Sequence, residues 1–156
     1  MATDRLGPII ETAVNKLVTT ASESGYFPGG AASVEPKSAP GSELYFATWI
    51  EDIKPVQERS GLPVTSARVE MMGRVYSSMM AEPQDRIDID LAAATSYLLA
   101  QLTGHFTISG AYIDLLGAYG DALGSDFGYI TQDRTVFRVS DITIPFIADD
   151  VFDQEV

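Results

Sequence analysis

The chain has 156 residues, 46% of them hydrophobic and 21% charged, which is typical of one globular domain and excludes a wholly disordered chain. Ten lysines and arginines against 22 aspartates and glutamates give a net charge of −12, so the overall field repels nucleic-acid phosphates and disfavours a long-lived grip on DNA. The absence of cysteine excludes disulfides, iron–sulfur clusters, thiol nucleophiles and the common zinc sites.

The first predicted element is a helix. Apolar residues recur at spacings of three and four from Leu6 to Ala21, which places them on one helical face. Gly25 is a good helix stop. Residues 22–41 are rich in glycine and proline and are predicted to form a loop, within which only residues 31–35 could be a short strand.

Two strands are predicted next. Residues 42–51 are rich in aromatic side chains, and residues 66–77 alternate between apolar and polar side chains. The polar residues 52–65 between them are predicted to form a long loop. A loop of that length is unusual inside a compact domain, so it is a candidate for function.

A second helix is predicted from Asp88, as its cap, to Gly104. Its apolar stripe comprises Leu91, Ala94, Leu98 and Leu102. Residues 111–116 are predicted to form a short apolar strand. The glycines that follow predict a turn, and they are Gly117, Gly120, Gly124 and Gly128.

The last predicted strand, residues 135–147, has apolar side chains at odd positions in its first half and at even positions in its second half. They are Phe137 and Val139, then Ile142, Ile144 and Phe146. A bulge at Ser140–Asp141 would restore one apolar face. Pro145 lacks an N–H donor, which predicts that this end lies at a sheet edge or leaves the sheet. An acidic tail, about 148–156, follows.

The order of elements predicts the fold class. A helix, about three strands, a second helix and three more strands follow one another, and the strands are adjacent in sequence. This order predicts a single α+β domain over residues 1–156, with a mixed, mainly antiparallel sheet packed by two helices.

Candidate catalytic and metal-binding residues are few. His105, the only histidine, follows a helix end, where contact with terminal carbonyls is the favoured interpretation. Asp85, Asp88 and Asp90 resemble a carboxylate cluster but lack the glycine and glutamate of a calcium loop. The glycine-rich turn lacks the lysine of a phosphate-binding loop. The sequence therefore predicts no enzyme, no cofactor and no metal site.

Targeting signals are also not expected. No stretch approaches 18 consecutive apolar residues, so no membrane-spanning helix is predicted. The first residues have an early acidic group and no apolar run, which is unlike a signal peptide and favours synthesis in a cytoplasm.

The second half of the chain carries an ordered set of short motifs. They are Arg74-Val-Tyr, Pro83, Arg86-Ile-Asp-Ile-Asp, Leu102-Thr-Gly, Ile113-Asp-Leu-Leu-Gly-Ala-Tyr-Gly, Gly128-Tyr-Ile, Phe137-Arg-Val and Ile142-Thr-Ile-Pro-Phe-Ile-Ala-Asp-Asp-Val-Phe-Asp-Gln. In this order they resemble the tail terminator proteins of siphophages that infect actinobacteria, such as mycobacteriophages. The resemblance covers residues 66–155 well and residues 1–65 more loosely.

The resemblance implies a structural virion protein. Tail terminators form a homo-oligomeric ring, usually hexameric, on the tail tube, and the ring stops polymerisation of the major tail protein. The ring then offers a surface to the head-completion (neck) proteins, and phage DNA passes transiently through its lumen. The implied location is the head-proximal end of the virion tail, after assembly in the cytoplasm of the bacterial host, with no membrane contact.

Two alternatives stay open. One is a head-completion or neck connector protein of related fold, which the same architecture would suit. The other, from a different class, is a small-ligand-binding or hydrolytic α+β domain that uses the carboxylates. The lone histidine and the missing catalytic motifs count against the second alternative.

Two segments are predicted to contact neighbouring subunits or partners. The first is the loop 52–65, from which the expected contact residues are Pro55, Val56, Gln57, Glu58 and Arg59. The second is the C-terminal segment, where apolar side chains lie among acidic ones at an expected sheet edge and are not expected to pack deeply in their own domain without burying charge. Its anchors are Phe146, Val151 and Phe152. The net charge of −12 further predicts a predominantly acidic lumen.

Overall fold

The computed structural model describes residues 5–36, 39–56, 64–104 and 106–153. It confirms a single α+β domain with a six-stranded, mostly antiparallel sheet and two helices. The helices are α1 (Leu6–Glu23) and α2 (Ile87–Gly104). The strands are β1 (Ala31–Ala32), β2 (Tyr45–Val56), β3 (Val64–Ser78), β4 (Ala111–Ile113), β5 (Gly124–Gln132) and β6 (Thr135–Asp153).

The sheet has the order β1-β2-β3-β6-β4, and β5 also pairs with β6. All pairings are antiparallel except that of β1 with β2. β4 pairs with residues 146–148 of β6, whereas β5 pairs with residues 135–143. The two strands therefore lie end to end along the same side of β6, and residues 114–123 leave the sheet between them.

Both helices cover one face of the sheet, as the two predicted stripes require. The buried stripe residues are Leu6, Ala13, Leu17 and Ala21 in α1, and Ile87, Leu91, Ala94, Leu98 and Leu102 in α2. They pack against Val69, Met71, Val75, Ile142, Ile144 and Phe146 of the central strands. Gly73 makes room in this core, because a Cβ there would lie 2.9 Å from the Phe46 ring. Among the described residues, no helix is long and apolar enough to cross a membrane.

The opposite face, which we call the open face, carries a smaller apolar cluster at one end. Its buried members are Ala47, Tyr76, Phe137 and Val139. The segment that leads from β1 to β2 passes over this cluster and bonds to the β5–β6 hairpin. The Ala39 N–H donates to Asp133 Oδ2 at 2.7 Å, and Gln132 Nε2 donates to the Pro36 carbonyl at 2.8 Å.

The predicted bulge at Ser140–Asp141 is wrong. β6 pairs with β3 and β5 in unbroken register through these residues. Its odd and even apolar residues do lie on opposite faces, because a different apolar cluster covers each half of the strand. The register shift lies instead between the pairs Thr65–Phe152 and Ala67–Ala148, where Asp150 has a positive φ of 54°.

The prediction that Pro145 lies at an edge or leaves the sheet is also wrong. Pro145 lies inside β6, opposite Glu70 of β3. Its carbonyl accepts the Asp114 N–H at 2.9 Å, so its nitrogen also points to the β4–β5 side of β6. There it falls between the part of β6 paired by β5 and the part paired by β4. No ladder donor is lost at that position, so the proline is tolerated.

Two predicted loops contain strand. β2 continues to Val56 and β3 begins at Val64, so most of the predicted loop 52–65 that is described is strand. Residues 57–63 lie outside the described residues. β2 has mostly exposed side chains here, and an exposed edge strand resembles a polar loop in sequence. The predicted glycine-rich turn similarly overlaps the start of β5, because Gly124 and Gly128 lie inside that strand.

Candidate interaction surface

Exposed apolar side chains are concentrated along one side of the sheet. We call residues 111–132, which run through β4 and β5, the β4–β5 edge. Its exposed large hydrophobic residues are Tyr112, Leu115, Leu116, Phe127 and Tyr129. Leu116 is 93% exposed and Tyr129 is 62% exposed. Apolar area of this kind on a folded domain is typical of a contact surface.

The backbone of β5 adds unused hydrogen-bonding capacity to this edge. Asp133 and Arg134 both have positive φ, 49° and 64°, which is the geometry of a two-residue type I′ hairpin turn. The closing residue Gln132 therefore bonds to β6, and the N–H and C=O of Phe127 and Thr131 point away from β6. In the part of the chain that the structure describes, no strand pairs with this outer side of β5.

Arg138 holds the aromatic side chains of β5 in place. Its guanidinium lies 4.6 Å from the centroid of the Tyr129 ring and 5.7 Å from that of Phe127. Its Nε donates to Asp88 Oδ1 of α2 at 2.9 Å. Asp88 was predicted to cap α2, but the helix already begins at Ile87 and the carboxylate bonds to β6 instead. This contact ties the hairpin to the helix layer.

The turn between β4 and β5 is held from inside by a buried ion pair. Asp114 is 5% exposed, and one of its carboxylate oxygens lies 3.5 Å from Arg68 Nε. The same carboxylate accepts the N–H of Ala118 at 2.9 Å and of Tyr119 at 3.2 Å. Arg68 also donates to the carbonyl of Asp121. The turn therefore has a defined shape although its two leucines are exposed.

Two glycines are required by this packing. Gly117 has a φ of 71°, and a Cβ there would lie 2.5 Å from the Gly120 carbonyl oxygen. A Cβ on Gly120 would lie 2.6 Å from the Arg68 guanidinium carbon. The spacing Asp114-Leu-Leu-Gly-Ala-Tyr-Gly thus combines a buried acceptor with two positions that leave room for the chain to fold back over Arg68.

The opposite side of the sheet has its own open strand. β1 pairs only with Phe46 and Ala47 of β2, so residues 48–55 of β2 have no second neighbour among the described strands. Ile53 in this stretch is 45% exposed. Ile53 pairs with Val69, Val69 with Phe146, and Phe146 with Ile113, so Ile53 and Ile113 lie in one row across the sheet.

The remainder of the open face carries charges tied by ion pairs. Arg74 Nε donates to Asp141 Oδ1 at 2.5 Å, and its guanidinium lies 3.6 Å from Glu35 and 5.5 Å from the Trp49 ring. Burial alone would lower the pKa of Arg74, but the hydrogen bond and charge of Asp141 raise it, so Arg74 stays charged. Burial, followed by the nearby Asp52, raises the pKa of Glu70.

Two cavities flank these features. One of about 410 Å³ on the open face is lined by Asp52, Lys54, Pro55, Val56, Arg68, Glu70, Tyr119, Gly120 and Asp121. The other, of about 620 Å³, lies where the ends of α1 and β3 meet the start of α2. No group of three histidine, aspartate or glutamate side chains among the described residues could hold a metal ion. Asp88 and Asp90 of the predicted cluster instead form ion pairs with Arg138 and Arg86.

The predicted contact residues fall into three groups. Gln57, Glu58 and Arg59 lie outside the described residues, as does His105, which was considered only as a catalytic or metal-binding candidate. Pro55 is exposed near the end of β2, while the adjacent Val56 is buried. Phe146 and Val151 are buried in this chain's own core, and Phe152 is 36% exposed.

The reason given for the C-terminal anchors is therefore wrong. Val151 was expected to be unable to pack at home without burying its acidic neighbours. The register shift at Asp149–Asp150 turns both carboxylates outward, and Val151 packs in the core while its neighbours stay in water. Phe146 lies within the paired part of β6. Only Phe152 keeps exposed area at which a partner could bind.

The β4–β5 edge is the surface that the sequence reasoning missed. The alternation of Phe127, Tyr129 and Thr131 with Gly128 and Ile130 is the pattern of a strand, but the glycines favoured a turn. Exposure of the two leucines beside Asp114 could not be read from the sequence, because an adjacent pair of leucines usually marks a core.

Comparison with known proteins adds no relative. No protein-family model matches the chain, and no curated protein matches it.

Proposed function

We propose that this chain is a structural virion protein that assembles into a ring, caps a phage tail tube and joins it to the head-completion proteins. The observation that carries the proposal is the β4–β5 edge, which has exposed aromatic and leucine side chains and outward-pointing backbone groups. A second open strand, β2, lies at the opposite side of the same sheet. A chain with two different open edges is suited to bind copies of itself head to tail.

The strand directions support such a contact. β2, β3, β6 and β5 are four successive antiparallel strands, so β5 runs opposite to β2. When identical copies stand side by side in the same orientation, the β4–β5 edge of one copy meets the β2 edge of the next in antiparallel sense. That pairing is the more stable one. A heterologous contact of this kind gives a closed ring when its rotation closes.

The two faces of the sheet suggest which side lines the lumen. Both helices lie on one face, and a layer of helices has more room at the larger radius of a ring. The open face would then face inward. Its two central arginines, Arg68 and Arg74, are already paired with carboxylates. Glu70, Asp121 and Asp126 add negative charge, which would let DNA slide without adhering.

The resemblance of residues 66–155 to actinobacteriophage tail terminators supports the identity of the ring. Asp114-Leu-Leu-Gly, one of the motifs that carry the resemblance, forms the internally bonded turn of the β4–β5 edge. The same resemblance suggests the major tail protein and the neck proteins as partners.

The test is a capping assay with purified tail tubes. The wild-type chain should stop tube extension by added major tail protein, and it should bind tubes rather than filled heads. Binding to filled heads alone would favour a neck connector and contradict the proposal. Ser125 lies in the row of Thr48 on the open part of β2, and by the alternation along β5 its N–H also points away from β6. Ser125→Pro removes that N–H, so it should leave the hairpin folded and abolish ring formation and capping. Ser125→Ala keeps the N–H and is the matched control.

A further inference from the structure

The turn after β4 combines a buried scaffold with an exposed apolar tip. Asp114 and Arg68 hold its backbone from below, while Leu116 is 93% exposed and Leu115 is 41% exposed. Neither leucine belongs to an apolar cluster formed by the described residues, so packing within the chain does not account for the fixed shape of the turn. A rigid apolar tip loses little conformational entropy when it binds, which favours association.

The position of the turn in the sheet indicates what covers it. Ile113, the last residue of β4, lies in the same row as Ile53 of β2, and Asp114 bonds to Pro145 in the next row, opposite Glu70 and Asp52. The leucine turn and the exposed Ile53 therefore stand at the same height on opposite edges of the sheet. Copies related by rotation about an axis along the strands bring such positions together.

We infer that Leu115 and Leu116 of one copy dock against the exposed stretch of β2 around Ile53 of the next copy, and that the Arg68–Asp114 pair positions them for that contact. The inference rests on the proposed ring and names the residues at its joint. Its occupant is a second copy of this chain, because the leucine turn and the exposed Ile53 side chain both lie on this chain, are apolar, and stand at the same height on opposite edges of the sheet.

Disulfide cross-linking tests the contact directly, since the chain contains no cysteine of its own. Under mild oxidation, the double variant Leu116→Cys/Ile53→Cys should give a ladder of covalent oligomers up to the size of the ring. Leu116→Cys/Met80→Cys is the matched control, because Met80 is 76% exposed but follows the far end of β3. Rings whose cross-linking at Leu116 and Ile53 does not exceed that of the control would overturn the inference.

A second pair of variants measures the strength of the contact. Leu116→Ser should leave the thermal unfolding temperature of the monomer unchanged and raise the concentration at which rings form by about tenfold or more. Met80→Ser should change neither. Ring formation by Leu116→Ser at the wild-type concentration overturns the inference and leaves the proposed function standing. Rings of Leu116→Ser that form normally but fail to cap tubes assign the leucines to the tube and also overturn it. A wild-type chain that never oligomerises contradicts both proposals.

Discussion

On the helix-covered face of the sheet, β3 and β6 present Val69, Met71 and Ile144 to two helices, and apolar side chains exclude water from most of this face. On the open face the same two strands present Arg68, Arg74 and Asp141. Arg74 forms an ion pair with Asp141, Arg68 forms one with Asp114 of the turn after β4, and the apolar cluster covers only one end of this face. β6 serves both faces, because its apolar side chains change parity where the cover changes. The comparison shows that one strand can carry apolar side chains at odd positions in one half and at even positions in the other, when a different apolar cluster packs on each half.

Truncation of one phenylalanine on each face is the strongest way to sharpen this comparison. Phe146→Ala, in the larger helix-covered core, should lower the free energy of unfolding by about 4 kcal/mol. Phe137→Ala, in the smaller cluster, should lower it by about 3 kcal/mol, because fewer buried neighbours surround the cavity. Urea denaturation of both variants measures the difference. An equal or larger loss for Phe137→Ala would mean that the open-face cluster is not the weaker one.

The next largest effect is expected from the buried charge beneath the leucine turn. Asp114→Ala leaves Arg68 without its buried carboxylate and removes the acceptor of two backbone N–H groups, so it should cost about 3 kcal/mol. Replacing both side chains, in Arg68→Leu/Asp114→Ala, should cost less than the sum of the two single changes. Strict additivity in urea denaturation would show that the pair is not coupled.

How far the sequence predicts these faces depends on the element. The helices were predictable because a stripe such as Leu91, Ala94 and Leu98 repeats the helical period and is buried on one side only. The change of the apolar side chains of β6 from odd to even positions was visible too. Its cause is that different segments pack on the two faces of the sheet, and those segments are distant from β6 in sequence. β5 and residues 52–56 of β2 were predicted as turn and loop. Exposed edge strands bury few side chains, so their sequences lack a clear alternation of apolar and polar residues.

The candidate surface was less predictable than the fold. Val151 and Phe152 looked like anchors because they lie among acidic residues, yet the register shift near Asp150 lets the chain bury Val151 and leave Phe152 partly exposed. A shift of this kind depends on pairing with a distant strand. The prediction that residues 57–59 contact a neighbour stays a prediction, since they lie outside the described residues.

A smaller effect is expected where the helix layer meets the hairpin. Asp88 is mostly exposed, so its ion pair with Arg138 is screened by water. Asp88→Asn should therefore reduce the free energy of unfolding by at most about 1 kcal/mol in dilute protein. Asp85→Asn, also near the start of α2, is the control. A loss well above that value for the monomer would mean that the pair is shielded more than its exposure indicates.

The smallest expected effect depends on pH. The pKa of Glu70 is raised in the folded state by burial and by Asp52, so the folded chain binds this proton more tightly than the unfolded chain does. The stabilisation from the proton is complete below the ordinary value of 4.5 and is lost as the pH rises through the folded-state pKa. Glu70→Gln should therefore be slightly more stable than the wild type at pH 7, with the difference in urea midpoint fading below pH 4.5. A difference that does not vary with pH would contradict the assignment.

The most direct test of the central claim is the mass of the purified wild-type chain in solution, together with electron micrographs of the same sample. The account predicts a discrete oligomer of about six times the 16.8 kDa of one chain, seen as a ring with a central hole. A chain that remains a monomer at all concentrations, or that forms a compact dimer in which the β4–β5 edges meet each other, would contradict it.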